Sequence, residues 1–181
     1  MTQTDTVTQT DTVIAVFADH NIAEAAVKKL AATGFDMKNL SVVGKGYHTE
    51  EKVIGFYNTG DRMKFWGKLG AFWGGLWGLI GGGIFLTIPT VGPVMVLGYL
   101  AHLVASVVVG AVEVGGLGVL SAALYNGGLP KDSVIKYEAA VKADEFLVMA
   151  HGSAEQVGRA REILKSINPS SLELHEVAKA A

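Results

Sequence analysis

The longest uncharged stretch constrains this sequence more than any other feature. Residues 69–112 are 44 consecutive residues without Asp, Glu, Lys or Arg. A segment of this kind is too long for a core helix and too apolar for a loop. Pro89 and Pro93 interrupt it near its middle and leave apolar arms of roughly 20 residues, about what a bilayer core of ~30 Å requires. The stretch therefore predicts a transmembrane helical hairpin that turns at Pro89, Gly92 and Pro93.

The residues that precede the stretch predict how this hairpin is oriented. Cations beside an indole at the start of an apolar span are typical of a cytoplasmic membrane boundary, and the candidate interface anchors are Arg62, Lys64 and Trp66. We expect two helices, at about 62–87 and 93–126, within an inserted region 61–127. This arrangement predicts a location in the cytoplasmic (inner) membrane with both termini on the cytoplasmic side.

Small residues recur along both arms at the spacing of one helical face. Glycine in a helix costs about 1 kcal/mol relative to Ala, and membrane helices use small-xxx-small faces, or glycine zippers, for close packing. The candidate helix-packing residues are Gly70, Gly74, Gly78 and Gly82 on the first arm and Gly98, Ser106 and Gly110 on the second. The indoles of Trp73 and Trp77 lie off this stripe and face either lipid or neighbouring subunits.

Three polar residues of the predicted hairpin raise specific hypotheses. His102 falls near mid-depth, where it either hydrogen-bonds to a backbone carbonyl or to Ser106, or lines a path for protons or ions. Lys68 lies 20 residues before Ile88, and Glu113 lies 20 residues after Pro93, which places them at the same depth. They either form an interfacial ion pair or are hydrated separately.

The flanking segments read as two halves of one α/β unit. Residues 1–11 are a polar tail that contains most of a Thr-Gln-Thr-Asp-Thr-Val repeat. Residues 12–60 then contain strand, helix and strand, and residues 128–181 contain a connecting helix followed by the same order. The predicted fold class is α+β, a split ferredoxin-like domain (β-α-β … β-α-β) with the glycine-rich hairpin inserted.

Composition excludes several function classes. The net charge is −2 without a Lys/Arg-rich stripe, so no nucleic-acid partner is predicted. There is no cysteine, and the five histidines are scattered without metal-ligand spacing. We therefore predict no enzyme, no catalytic residue, no cofactor or metal, and no small-molecule substrate.

Several short motifs resemble a widespread bacterial family of general stress proteins, similar to the heat-induced stress proteins and to membrane proteins of unknown function. The motifs lie at residues 47–51, 57–63, 66–75, 88–93 and 128–134, and the resemblance spans about residues 12–167. Thr90 stands where the turn of the family commonly has Gly. The resemblance implies a glycine-rich apolar centre between two α/β halves and carries no established catalytic residue.

Together these features predict a non-enzymatic, membrane-embedded, homo-oligomeric stress-type protein that acts as a structural scaffold or membrane modulator. Its expected partners are further copies of itself and membrane lipid. One alternative is a channel or transporter subunit with a path lined by the glycine stripe and His102. The other is a large soluble assembly or cage in which the apolar helices are buried.

Overall fold

The computed structural model of the protein describes residues 10–45, 59–88, 91–110 and 118–176, with the side chains of all of these except 59–69 and 108–110. The strands are β1 (Asp11–Phe17), β2 (Leu40–Lys45), β3 (Gly83–Ile88), β4 (Gly92–Gly98), β5 (Phe146–Gly152) and β6 (Ser171–His175). The helices are α1 (His20–Ala32), α2 (Thr59–Ile80), α3 (Tyr99–Gly110), α4 (Val119–Asn126), α5 (Lys131–Lys142) and α6 (Ala154–Lys165). A short 3₁₀ helix, Met37–Asn39, precedes β2.

The strands form one sheet in the order β3-β4-β2-β5-β1-β6, and every neighbouring pair is antiparallel. β5 lies between β1 and β2, although it is far from both in sequence. Within the described residues, β3 and β6 are the two edge strands.

Local sequence signals explain the terminal elements. The side chain of Asp19 accepts a hydrogen bond from the backbone N–H of Asn21 at 2.7 Å and so caps α1. Ser153 and Gln156 form a capping box at the start of α6. The order strand, helix, strand expected in residues 12–60 is observed as β1, α1 and β2, and the same order after the connecting helix in residues 128–181 is observed as β5, α6 and β6.

Helices cover both faces of the sheet, and each face has its own hydrophobic core. One core combines α1, α2 and α6 with side chains of the sheet, among them Phe17, Leu97 and Phe146. The other combines α3, α4 and α5 with the opposite side of the strands, including Ile14 and Leu147. We call these the α2 layer and the α5 layer. Because both faces are buried, the central strands are apolar at nearly every position instead of alternating.

In the α5 layer one helix caps another. The N-cap of α4, Gly118, has no side chain that could accept a hydrogen bond. The carboxylate of Glu138, on α5, instead accepts from the backbone N–H of Ser121 at 3.0 Å. This satisfies a donor that the first turn of a helix leaves open and places a negative charge at the positive end of the helix dipole.

The middle of the apolar stretch is a β-hairpin, not the tip of a helical one. α2 ends at Ile80, and Gly81 and Gly82 follow with φ of 78° and 156°, conformations that residues with a side chain rarely adopt. The next residues, Gly83–Ile88 and Gly92–Gly98, are rich in β-branched side chains and pair as β3 and β4. Pro93 is tolerated beside β3 because it lies opposite Thr87 in a pair that exchanges no hydrogen bonds, and the described pairing with β2 ends at Val94.

The predicted fold class is therefore wrong. A split ferredoxin-like domain with an inserted helical hairpin has four strands with helices on one face. The sheet formed by the described residues has six strands, two of which come from the insertion, and α3, α4 and α5 cover its second face.

The predictions of a transmembrane hairpin, a membrane protein and an inner-membrane location are also wrong. Across the described ranges, none of the helices combines the length and apolarity needed to cross a bilayer. α2 begins with several charged residues, so its uncharged part, Leu69 to Ile80, spans only about 18 Å against the ~30 Å of a hydrocarbon core. α3 is equally short at 12 residues.

Candidate association surface

α2 is anchored to the sheet by one narrow apolar face. Phe72, Trp73, Leu76 and Ile80 are buried in the core of the α2 layer. The ring of Phe72 meets those of Trp73 and Phe146 edge-on, with centroids 4.8 and 5.6 Å apart. Residues with this spacing lie on one side of a helix, so the remaining positions of the last three turns point away from the sheet.

The outward side of α2 carries the glycines that the sequence singled out. Gly70, Gly74 and Gly78 are exposed, and a Cβ atom built on any of them meets no atom within 4 Å. Gly75 has the same environment. Within the part of the chain that is described, the predicted glycine stripe therefore forms an open ridge, which we call the glycine ridge, and has no helix packed against it.

The other proposed packing residues have different environments. Gly82 belongs to the turn after α2, and Gly98 joins β4 to α3 with φ of 83°. A Cβ on Gly98 would collide with the carbonyl oxygen of Leu40, so only glycine fits this joint. On α3, the Ser106 hydroxyl donates a hydrogen bond to the backbone carbonyl of His102 at 2.8 Å. Gly110 ends this helix, and its side-chain position lies outside the described set.

Among the remaining predicted residues, those that the structure describes are not brought together into a site. His102 is exposed on α3, at the outer surface of the α5 layer. Glu113 and Pro89 lie outside the described residues, as do the side chains of Lys68 and of the interface anchors Arg62, Lys64 and Trp66. Gly92 and Pro93 start β4, so they follow the tip of a strand hairpin.

Three large apolar side chains are exposed around the end of α2 and the start of the sheet edge. Trp77 and Leu79 are each 42% exposed, and Phe85 on β3 is 59% exposed. Ile84, Leu86 and Ile88 pack towards the α5 layer. Because side chains alternate along a strand, Phe85 points to the α2 layer, as does its cross-strand partner Met95. We call Trp77, Leu79 and Phe85 the α2–β3 surface.

This surface lies in the uncharged part of the chain. Nothing between residues 69 and 112 carries a formal charge, whereas α1 and α6 present ion pairs such as Lys28–Glu24 and Arg159–Glu155 to solvent. Exposed apolar side chains are common one at a time, but three large ones within an uncharged region favour an interaction site.

The opposite edge of the sheet instead carries a hydrogen-bonded cluster of Lys136, Tyr137, Glu173 and His175, which we call the polar lock. The hydroxyl of Tyr137, a residue only 1% exposed, lies 3.1 Å from Oε2 of Glu173 and 2.7 Å from Nε2 of His175. Lys136 forms an ion pair with Glu173. One hydroxyl proton serves only one acceptor, so both contacts are satisfied when Tyr137 donates to Glu173 and His175 donates to Tyr137. The lock joins α5 to β6.

Burial and charge shift the pKa values of this lock in consistent directions. Burial raises the pKa of Tyr137, with the neighbouring Glu173 carboxylate as a further cause. The hydrogen bond from Lys136 holds the pKa of Glu173 below its usual value, and burial lowers the pKa of His175. Near neutral pH the lock therefore contains an ionised Glu173, a neutral His175 and a protonated Tyr137.

A small pocket lies between β5 and the α5 layer. It encloses about 30 Å³ and is lined in part by Thr12, Tyr99 and His151. This is far below the roughly 300 Å³ at which small-molecule sites begin and is room for little more than a water. The rings of Tyr99 and His151 are in contact, with centroids 4.4 Å apart and planes tilted by 40°, and burial lowers the pKa of His151. Among the residues described, no three His, Asp or Glu side chains are grouped to hold a metal ion.

Sequence reasoning noted that Trp77 lies off the glycine stripe but missed Phe85 and the Tyr137 lock. The alternation around Phe85 was a usable signal, because Ile84, Leu86 and Ile88 occupy one side of a strand. The lock carried no such signal, because Tyr137 and His175 are 38 residues apart in sequence and meet only through the sheet.

Comparison of the chain with protein-family models, with curated proteins and with solved structures found no match. Function must therefore be inferred from the geometry of the surfaces described above.

Proposed function

We propose that the protein is a non-enzymatic, self-associating structural protein whose copies assemble through the α2–β3 surface. The observation that carries this proposal is the exposure of Trp77, Leu79 and Phe85 within an uncharged region. Burying such side chains is favourable by about 25 cal/mol per Å², and aromatic anchors are enriched at the centres of protein interfaces. The partner proposed is a further copy of the chain, and its role is that of a scaffold.

The resemblance of several motifs to bacterial general stress proteins supports placing this scaffold in a stress response. Membrane lipid is not part of the proposal, because that expectation depended on the helical hairpin. Of the alternatives drawn from the sequence, an assembly of copies of the chain is closest to the geometry, since the α2–β3 surface is exposed and uncharged.

Sedimentation velocity of the full chain over a range of concentrations tests the proposal. We expect an oligomer for the wild type and a monomer for the double variant Trp77→Lys/Phe85→Lys, because a lysine ammonium is costly to bury without a partner. The matched control is Ile135→Lys, since Ile135 is also a large exposed apolar residue, at 50%, but belongs to α5.

The control variant should assemble as the wild type does, and far-ultraviolet circular dichroism should show that all three proteins are folded. A wild type that stays monomeric at the highest attainable concentration would refute the proposal. So would a Trp77→Lys/Phe85→Lys variant that assembles as well as the wild type.

A further inference from the structure

We propose that β3 pairs with β3 of a second copy in antiparallel orientation, which joins two six-stranded sheets into one of twelve strands. This inference rests on the proposed self-association and specifies its contact. Within the described residues, β3 pairs with β4 on one side only. No described strand pairs with its other side, a row of backbone donors and acceptors of the kind that pairs with another chain.

The ladder between β3 and β4 shows which backbone groups face outwards. The N–H of Gly98 donates to the carbonyl of Gly82 at 2.9 Å, which makes these residues a hydrogen-bonded pair. Such pairs alternate with non-hydrogen-bonded pairs along an antiparallel ladder. In the observed register, the N–H and C=O groups of Gly83, Phe85 and Thr87 therefore point away from β4.

These outward groups are arranged symmetrically about Phe85. A two-fold axis that passes beside Phe85 places Gly83 of each copy opposite Thr87 of the other, and Phe85 opposite its own counterpart. Every outward group then finds a partner, which gives about six hydrogen bonds across the seam. Phe85 and its counterpart lie side by side on one face, and cross-strand aromatic pairs stabilise sheets. The contact is isologous, so it closes as a dimer.

The two edges of the sheet differ in a way that favours β3 over β6. Natural sheets protect exposed edges with charged side chains. β6 carries Glu173 and His175, with Lys136 beside them. β3 has the sequence Gly-Ile-Phe-Leu-Thr-Ile and carries no charge. Like charges on an edge that pairs with its own copy would repel each other, whereas charges on an edge left in water prevent unwanted pairing. The charge distribution therefore matches a paired β3 and a solvated β6.

The surface area that a stable dimer must bury is reached only if the α2 layer contributes to the interface. A stable interface buries at least about 1,000 Å² in total, more than one pair of six-residue strands supplies. The exposed fractions of Trp77 and Phe85, 42% and 59%, correspond to about 100 Å² each per copy. An axis perpendicular to the sheet puts both α2 helices on the same face. Three strand spacings, about 14 Å, separate the two β4 strands, so aromatic side chains can fill the gap between the helices.

Amide exchange and two edge variants test this pairing. In the wild-type dimer we expect the amides of Phe85 and Thr87 to exchange slowly, because both donate across the seam. Thr87→Pro removes one outward donor and leaves the β3–β4 ladder intact, and Thr87→Lys adds an edge charge. Both variants should shift the protein from dimer to monomer by sedimentation. Leu174→Lys is the control, since Leu174 is 36% exposed on the other edge strand, and it should remain dimeric.

The outcomes separate this inference from the proposed function. If the wild type assembles, Trp77→Lys weakens the assembly and both Thr87 variants assemble normally, strand pairing is refuted and self-association through α2 stands. If Phe85 and Thr87 amides exchange as rapidly as open amides in an assembled wild type, strand pairing is refuted without recourse to any variant. If the wild type is monomeric, both proposals fail.

Discussion

Filling the glycine ridge with methyl groups should stabilise the protein. Gly74 and Gly78 lie in the interior of α2, are exposed, and have no atom within 4 Å of an added Cβ. Replacement of Gly by Ala in such a position gains about 0.8–1.0 kcal/mol because alanine loses less backbone entropy on forming the helix. The gain is a property of each residue in the helix backbone, so the two contributions are summed.

The double variant Gly74→Ala/Gly78→Ala is therefore expected to raise the free energy of unfolding by about 2 kcal/mol. For a chain of this length, that corresponds to a rise in Tm of about 4–8 °C. Thermal unfolding followed by circular dichroism, supported by urea titration with an unchanged m value, measures the gain. Pairing through β3 leaves the ridge open, so the oligomeric state should not change.

An unchanged or lower Tm would refute this reasoning. It would mean that the ridge is in close contact with another helix, as the original glycine-zipper hypothesis requires, and that a methyl group there separates the two backbones. A parallel loss of assembly in the same variant would point to contact between copies through the ridge.

Three further substitutions have definite expectations. Gly98→Ala should destabilise the fold by at least about 2 kcal/mol, because a Cβ at this positive φ meets a backbone carbonyl, and a neutral result in urea titration would contradict the β4–α3 joint described. Tyr137→Phe should cost about 1–3 kcal/mol through its lost bonds to Glu173 and His175, and an unchanged Tm would show that the lock contributes nothing. Glu138→Ala should cost about 1 kcal/mol by uncapping α4, whereas Glu138→Gln should recover part of it, and equal losses in both would contradict a cap. Acid should lower the free energy of unfolding of the wild type, because the folded-state pKa values of Glu173 and His175 are both lowered. The stabilisation is complete above about pH 6.5; the contribution of His175 is lost below that value and that of Glu173 below about pH 4.5. Urea midpoints that are flat from pH 7 to 4 would refute the assignment.

Sequence reasoning located the terminal elements because their signals are local. A capping Asp19, a capping box at Ser153 and the β-branched run of β1 each specify a helix start or a strand from a few residues. The layers and the edges of the sheet follow from pairing between residues more than 100 positions apart, as in Val13 with Ala150, and no local pattern encodes that register.

The helical-hairpin prediction for the central stretch is wrong because hydropathy indicates that a segment is buried but not whether it is a helix or a strand. A strand covered on both faces is as continuously apolar as a membrane helix. The β-branched residues of Ile84 to Ile88 and the glycines at 81–83 were the signals that favoured strands. These signals distinguish a strand pair from a membrane helix only when the length of each apolar segment is measured between the glycines and prolines that interrupt it. Each such segment is too short to cross a bilayer.

The insertion of β5 between β1 and β2 also sets the order in which the molecule can be built. During synthesis β1 and β2 emerge early, yet the strand that joins them follows about 100 residues later, and closing so long a loop costs entropy before any pairing is gained. Until then the nascent chain carries the two apolar faces of β1 uncovered, which favours misassociation. β3 and β4 can add to β2 in the meantime, so a half-sheet forms first. The final strands complete the protein from the C-terminal end, and ribosome-bound chains that stop before residue 146 should hold β1 unprotected from proteolysis.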